Sequence, residues 1–260
     1  MKPILHGVAQ NAGLLVCLLA IVMTDACFAA SNDVEIVKSE GSLVTSVGSG
    51  KKTKTPGPKS VLPSKSTLAT GPNGRAVVRV GSAGYIVLEK NSKIEIDNSQ
   101  DNVGFLRHIT GLIYYAMNTL RGDQKLEVRT ETATIGVRGT RFLVAELPDR
   151  NEIVMRKGLV NVSSPDGEFE IHKKAEQDEF QAYKQEAKDA IAKEQRHFDE
   201  YKAKTEKEFI EYKREFSLGA NRMASFDGKQ VVDRPLSAES AKDLENFESY
   251  AAEWLKEVHD

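Results

Sequence analysis

Two arginines stand nearest to a chemical pattern. Arg138 and Arg141 enclose Gly139 and Thr140 in the stretch TATIGVRGTRFLVAE, residues 132–146. Their guanidinium groups could contact a partner, and the same stretch also reads as a core strand with a bend. A second basic group is Lys51, Lys52, Lys54 and Lys59, which lies with Lys65 between Gly48 and Ser66 and has no acid among it. It reads either as a solvated loop or as a surface for an anionic partner, such as lipid head groups or a cell-wall polymer.

Bond-breaking chemistry finds less in the sequence. His108, His172, His197 and His259 are scattered, with no partner at metal-ligand spacing. There is no H-E-x-x-H, no G-x-S-x-G elbow and no phosphate loop. Gly136-Val137-Arg138-Gly139 has the wrong spacing for dinucleotide binding and no helix after it. The cysteines, Cys17 and Cys27, both fall in the first thirty residues. Removal of that segment would leave no thiol for a nucleophile, a disulfide or a metal site. The expectation is a chain that is not an enzyme, with no catalytic residue, cofactor or metal. A formal net charge of −2 gives no global field for nucleic acid.

The elements that must position these residues are strands. Short alternating segments recur from Val34 to Val162, and many follow a glycine: Gly41, Gly84, Gly111, Gly139 and Gly158. Ile135 and Val137, then Phe142 and Val144, share faces at two-residue spacing. The glycines between these pairs predict a strand that turns a corner and continues. The fold class predicted for residues 31–171 is an all-β domain, a sandwich, barrel or solenoid. Residues 48–66 read as a loop or insertion because of Pro56, Pro58 and Pro63. Asp97 to Asn102 reads as a second polar loop.

After Ile171 the composition changes. Apolar positions from Phe180 to Phe216 step by three or four, about 3.6 residues on average, the period of an α-helix. That predicts one long charged amphipathic helix over 172–218, on the order of 60 Å. Its aromatic stripe must bury against the β domain, a following helix or a second chain. A connector at 219–236 and a C-terminal helix at 237–260, capped by Ser237, complete the plan.

Residues 1–30 read as a signal peptide. Lys2 precedes the apolar run Leu14–Met23, which is too short to span a bilayer. Small residues at Ala26, Ala29 and Ala30 suit cleavage, and a lipoprotein modified at Cys27 is the alternative. No later run matches it, so the mature chain is expected to be exported and to carry no membrane span.

The central stretch resembles the signature of the FecR-domain family, a threonine and an alanine followed by V-R-G-T and an apolar strand. Thr132, Ala133, Val137, Arg138, Gly139, Thr140 and Arg141 occupy it here, with Phe142 and Val144 continuing. Leu68, Thr70, Gly74, Ala76 and Val78 look like the family's early segment. Gly158 with the strand LVNV looks like its close. The resemblance implies an elongated β fold that receives a signal or docks a partner. The best known members also carry a cytoplasmic anti-sigma segment, and only about a dozen residues precede the apolar run here. The expected function is a non-catalytic periplasmic or cell-envelope binding or scaffold module for a protein or polymer partner. Self-association would run through the long helix. The alternative is a signal-receiving component acting in trans.

Overall fold

Gly84–Leu88, GYIVL, has no polar alternation, and all five residues are buried. Such a strand needs cover on both faces. The computed structural model supplies it, with a sheet on one side of this strand and a helix on the other. The structure describes residues 33–47, 51–53, 56–100, 103–119, 125–174 and 209–258. Among these are nineteen strands and two helices.

The strands form two sheets. The first, hereafter the covered sheet, begins with β4 (Val61–Leu62), β1 (Val34–Glu40), β6 (Arg75–Val80) and β7 (Gly84–Leu88). It continues through the second half of β9 (Val103–Met117), β12 (Arg141–Leu147) and β13 (Arg150–Lys157). It ends with β18 (Arg222–Asp227), β19 (Gln230–Pro235), β15 (Phe169–Lys173) and β16 (Phe209–Lys213). The second, the open sheet, runs β3 (Lys51–Thr53), β2 (Leu43–Val47), β5 (Ser66–Thr70) and β8 (Lys93–Gln100). It then takes the first half of β9, β10 (Lys125–Arg129), β11 (Thr134–Val137), β14 (Leu159–Ser163) and β17 (Glu215–Gly219). Pairing is antiparallel except for β9 with β10 and β15 with β19.

β9 belongs to both sheets. Its residues up to Thr110 pair in the open sheet and those from Gly111 pair in the covered one. The bend needs Gly111, whose φ is +101°. The sheets enclose an apolar interior in which Tyr115 stacks on Phe142 at 4.9 Å between centroids. Phe169 meets Phe216 and Phe226 edge-on at 5.7 and 5.8 Å. On the far side of the covered sheet lie α1 (Ala238–Tyr250) and α2 (Ala252–Leu255). Ser237 caps α1 by accepting from the Ser240 amide at 3.1 Å. Phe247 of α1 stacks on Tyr114 at 6.0 Å. Burying such a ring contributes roughly 2 kcal/mol.

Several sequence expectations change. The long helix over 172–218 falls mostly outside the described residues, but 172–173, 209–213 and 215–219 are strands. Phe209, Tyr212 and Phe216 carry helical spacing because the chain bends at Arg214 between β16 and β17. The bend moves the chain from one sheet to the other, so Tyr212 faces out and Phe216 faces the interior. Gly219 ends β17 instead of capping a helix. The connector at 219–236 is the hairpin β18–β19, which turns at Gly228-Lys229 with Gly228 at φ +57°. The described strands beyond residue 171, through Pro235, thus extend the same two sheets. The loop at 48–66 contains β3 and β4, and Asp97–Gln100 continues β8. The signal-peptide segment, residues 1–30, lies outside the described residues.

Candidate functional site

The V-R-G-T stretch is a corner between the sheets. β11 lies in the open sheet, β12 in the covered sheet, and Arg138, Gly139 and Thr140 join them. Thr130 sets the approach: its hydroxyl accepts from the amides of Thr132 and Ala133 at 3.2 and 3.0 Å. Ala133 and Val137 point into the core. Gly139 has φ +64°, and a Cβ there would lie 2.3 Å from the Thr119 hydroxyl. Its amide donates to the Asn118 carbonyl at 3.2 Å, and the buried Thr140 accepts from the Met117 amide through its carbonyl at 2.9 Å. These residues stitch the corner to β9.

The two arginines part company. Arg141 donates through Nη2 to the Val258 carbonyl at 3.4 Å, just beyond α2. A guanidinium at a helix C-terminal end meets the negative pole of the backbone dipoles. Arg138 is exposed on the corner. Arg141→Ala is expected to lower stability by about 1 kcal/mol, and Arg138→Ala to stay within about 0.5 kcal/mol. Urea midpoints of the two variants check this; equal midpoints would mean that the Arg141 bond contributes nothing.

The lysines do not form one described cluster. Lys51 and Lys52 lie on β3, the edge of the open sheet, and Lys54 is outside the described residues. Lys59 is exposed at φ +69°, and its amide donates to Ile36 of the covered sheet at 2.7 Å.

A polar group that sequence spacing does not disclose ties α1 to the covered sheet. Arg150 donates to Glu152 at 2.7 Å, to Asp243 at 2.9 Å and to Ser240 at 3.3 Å. Glu152, itself buried, also accepts from Ser225 at 3.0 Å and from Arg234 at 3.3 Å. Burial works against the Arg150 charge, but the hydrogen bonds to Glu152 and Asp243 outweigh it and raise the pKa. Farther along, the Arg75 guanidinium lies 3.8 Å over the Tyr250 ring, and the Lys38 ammonium lies 3.9 Å from the centroid of the same ring.

The outer face of the open sheet is reachable and carries a polar row beside the exposed apolar side chains Val44, Ile109 and Leu159. Across it run Glu95 on β8, Arg107 on β9 and Arg129 on β10 in direct register, followed by Thr134 and Ser163. Arg107 approaches Glu95 at 3.7 Å and its side chain is 70% exposed. Arg129 holds Glu127 at 3.0 Å and lies 3.7 Å over the Phe105 ring. Asn161 donates to Glu215 at 3.2 Å. Such exposed surface pairs each contribute a few tenths of a kcal/mol, leaving the groups available to a partner. The signal was present in the sequence as charged residues alternating with apolar ones in KIEI and KLEVR.

The strongly shifted groups are elsewhere. Burial pushes Tyr85 up to about 12, aided by its hydrogen bond to Glu257. Burial lowers His108 to about 4. Tyr114, raised by burial and by Glu248, lies beneath α1. These groups serve the interior and the helix contact. Among the described residues no cluster of His, Cys, Asp and Glu could hold a metal ion, and no helix is long and apolar enough to cross a membrane.

Residues 66–161 match the family model described as FecR protein. The match runs from the start of β5 into β14 and includes the corner motif. Two crystal structures of a candidate anti-sigma factor from Parabacteroides distasonis ATCC 8503 are similar, each with a TM-score of 0.43. Identity is 12% and 11%, over 68% of this chain and 62% of that chain, so less than two thirds of the neighbour's length is matched. No curated protein matches the sequence. With the corner, its glycines and the strands on either side falling inside the matched range, residues 66–161 of this chain carry a FecR domain.

Proposed function

We propose that this chain is an exported, non-catalytic binding module of the cell envelope that docks a protein or polymer partner on the outer face of its open sheet. The FecR domain supports a signalling-related role. One observation carries the choice of surface. The outer face of the covered sheet is occupied by α1 and α2, whereas the open sheet presents the row Glu95, Arg107 and Arg129 outward. A flat polar row of both signs suits a partner read by hydrogen bonds and complementary charge. The double substitution R107E/R129E should cut recovery of the partner from envelope extracts at least tenfold while the chain keeps a cooperative unfolding transition, its midpoint lowered only slightly by the lost charge pairs. Recovery of the same molecules at the same yield would refute this surface.

A second reading is a signal-receiving component acting in trans, favoured by the family match itself. A deletion strain should then change its transcript profile, and R107E/R129E should reproduce the change. A profile identical to that of the parent would remove this reading and leave a purely structural module.

A further inference from the structure

Two large exposed apolar side chains stand on one strand at the end of the covered sheet. Ile210 is 44% exposed and Tyr212 is 64% exposed. Both lie on β16, which among the described residues pairs only with β15. An edge strand offers a row of backbone donors and acceptors to any strand laid beside it. The other edges are blunted. β4 and β3 are two and three residues long, and β17 turns Glu215 and Ser217 outward. β16 has five residues, no proline and an apolar outer side.

The strand is also complementary to itself. Glu211 is its centre, with Ile210 and Tyr212 on either side. An antiparallel copy related by a two-fold axis through Glu211 sets Ile210 opposite Tyr212 twice, on one face. Directly opposed apolar and aromatic side chains are the favourable cross-strand pairs. The two Glu211 carboxylates would meet at the axis, and each is already held by ammonium groups, Lys173 at 3.1 Å and Lys213 at 2.6 Å. That pairing removes the repulsion that bare carboxylates would bring.

We infer that β16 is the contact edge of a symmetric dimer of this chain, in which two copies continue the covered sheet across a two-fold axis. The contact is an isologous one, closed by its own symmetry. It leaves the outer face of the open sheet uncovered and does not depend on which partner binds there.

Sedimentation equilibrium of the full chain should give the mass of two chains, and I210K/Y212K should return the mass of one while keeping a cooperative unfolding transition. Register is tested separately, with Cys17 and Cys27 replaced by serine. An equal mixture of I210C and Y212C chains should oxidise to crosslinked dimer in several-fold higher yield than either variant alone. A single-chain mass at every concentration, a dimer that survives I210K/Y212K, or equal crosslinking in all three samples would overturn the inference.

Discussion

Gly111→Ala is expected to cost more than about 4 kcal/mol, or to abolish the cooperative unfolding transition. The residue sits where β9 passes from one sheet to the other, at φ +101°. That conformation is strained for any side chain. A Cβ there would also lie 2.4 Å from the Ser92 Cα, which is backbone and has nowhere to go. Ser92 is pinned: its amide donates to the Thr70 hydroxyl at 2.9 Å and its own hydroxyl to the Leu112 carbonyl at 3.1 Å. Moving it breaks the junction of three strands. Gly136→Ala is the control, because its nearest neighbour would be 3.7 Å away and its φ is not positive. There the methyl group should be neutral or slightly stabilising. Matching urea midpoints for the two variants would show that the bend does not depend on glycine.

Acidification from pH 6.5 to about 4 is expected to remove about 3 kcal/mol of stability through His108 alone. The ring is 2% exposed. Its Nε2 faces the Gly111 carbonyl at 3.2 Å, an acceptor, so Nε2 carries the hydrogen. Nδ1 then accepts from the Tyr115 hydroxyl at 3.4 Å. Above pH 6.5 the imidazole is neutral in folded and unfolded chains alike, and it adds nothing to the pH dependence. Below that, the unfolded chain takes a proton that the buried ring refuses, so the folded state loses ground until its own pKa near 4 is reached. Glu146 works in the opposite direction, since burial and Glu131 raise its pKa against the pull of Thr130. Comparing wild type with His108→Gln at each pH cancels that contribution. The variant should show a flatter decline between pH 6.5 and 4; parallel curves would exclude His108 as the cause.

The parts of the fold visible in the sequence are those where one strand obeys one periodicity. Ala76–Val80, Tyr85–Leu88 and Phe142–Ala145 are short apolar runs bounded by glycines or polar residues, each within one strand, and were legible for that reason. The corner at Gly139 was legible because two glycines interrupt an otherwise regular pattern. Residues 209–219 were not, because the bend at Arg214 resets the phase and leaves aromatic residues at three- and four-residue steps that imitate a helix. The hairpin turn at Gly228-Lys229 carried a usable signal in its glycine that the surrounding charge obscured. Arg150, Glu152 and Asp243 could not be assembled from sequence, since their partnership joins positions up to 93 apart. Among the candidate site residues, Arg138 and Arg141 looked alike in the motif, and only packing separates an exposed corner from a tether for the helix.

That tether and its neighbours set a timetable for biogenesis. Tyr85 bonds to Glu257 across a separation of 172 residues, and Arg75 reaches Asn246 across 171. A chain halted before residue 209 lacks β16 to β19 as well as the helix, so several ladders lack a neighbour and the middle layer stays greasy. Contacts of such span close slowly. The polypeptide therefore completes its native contacts only after α2 has been made, and until then the covered sheet keeps an apolar face without its helix.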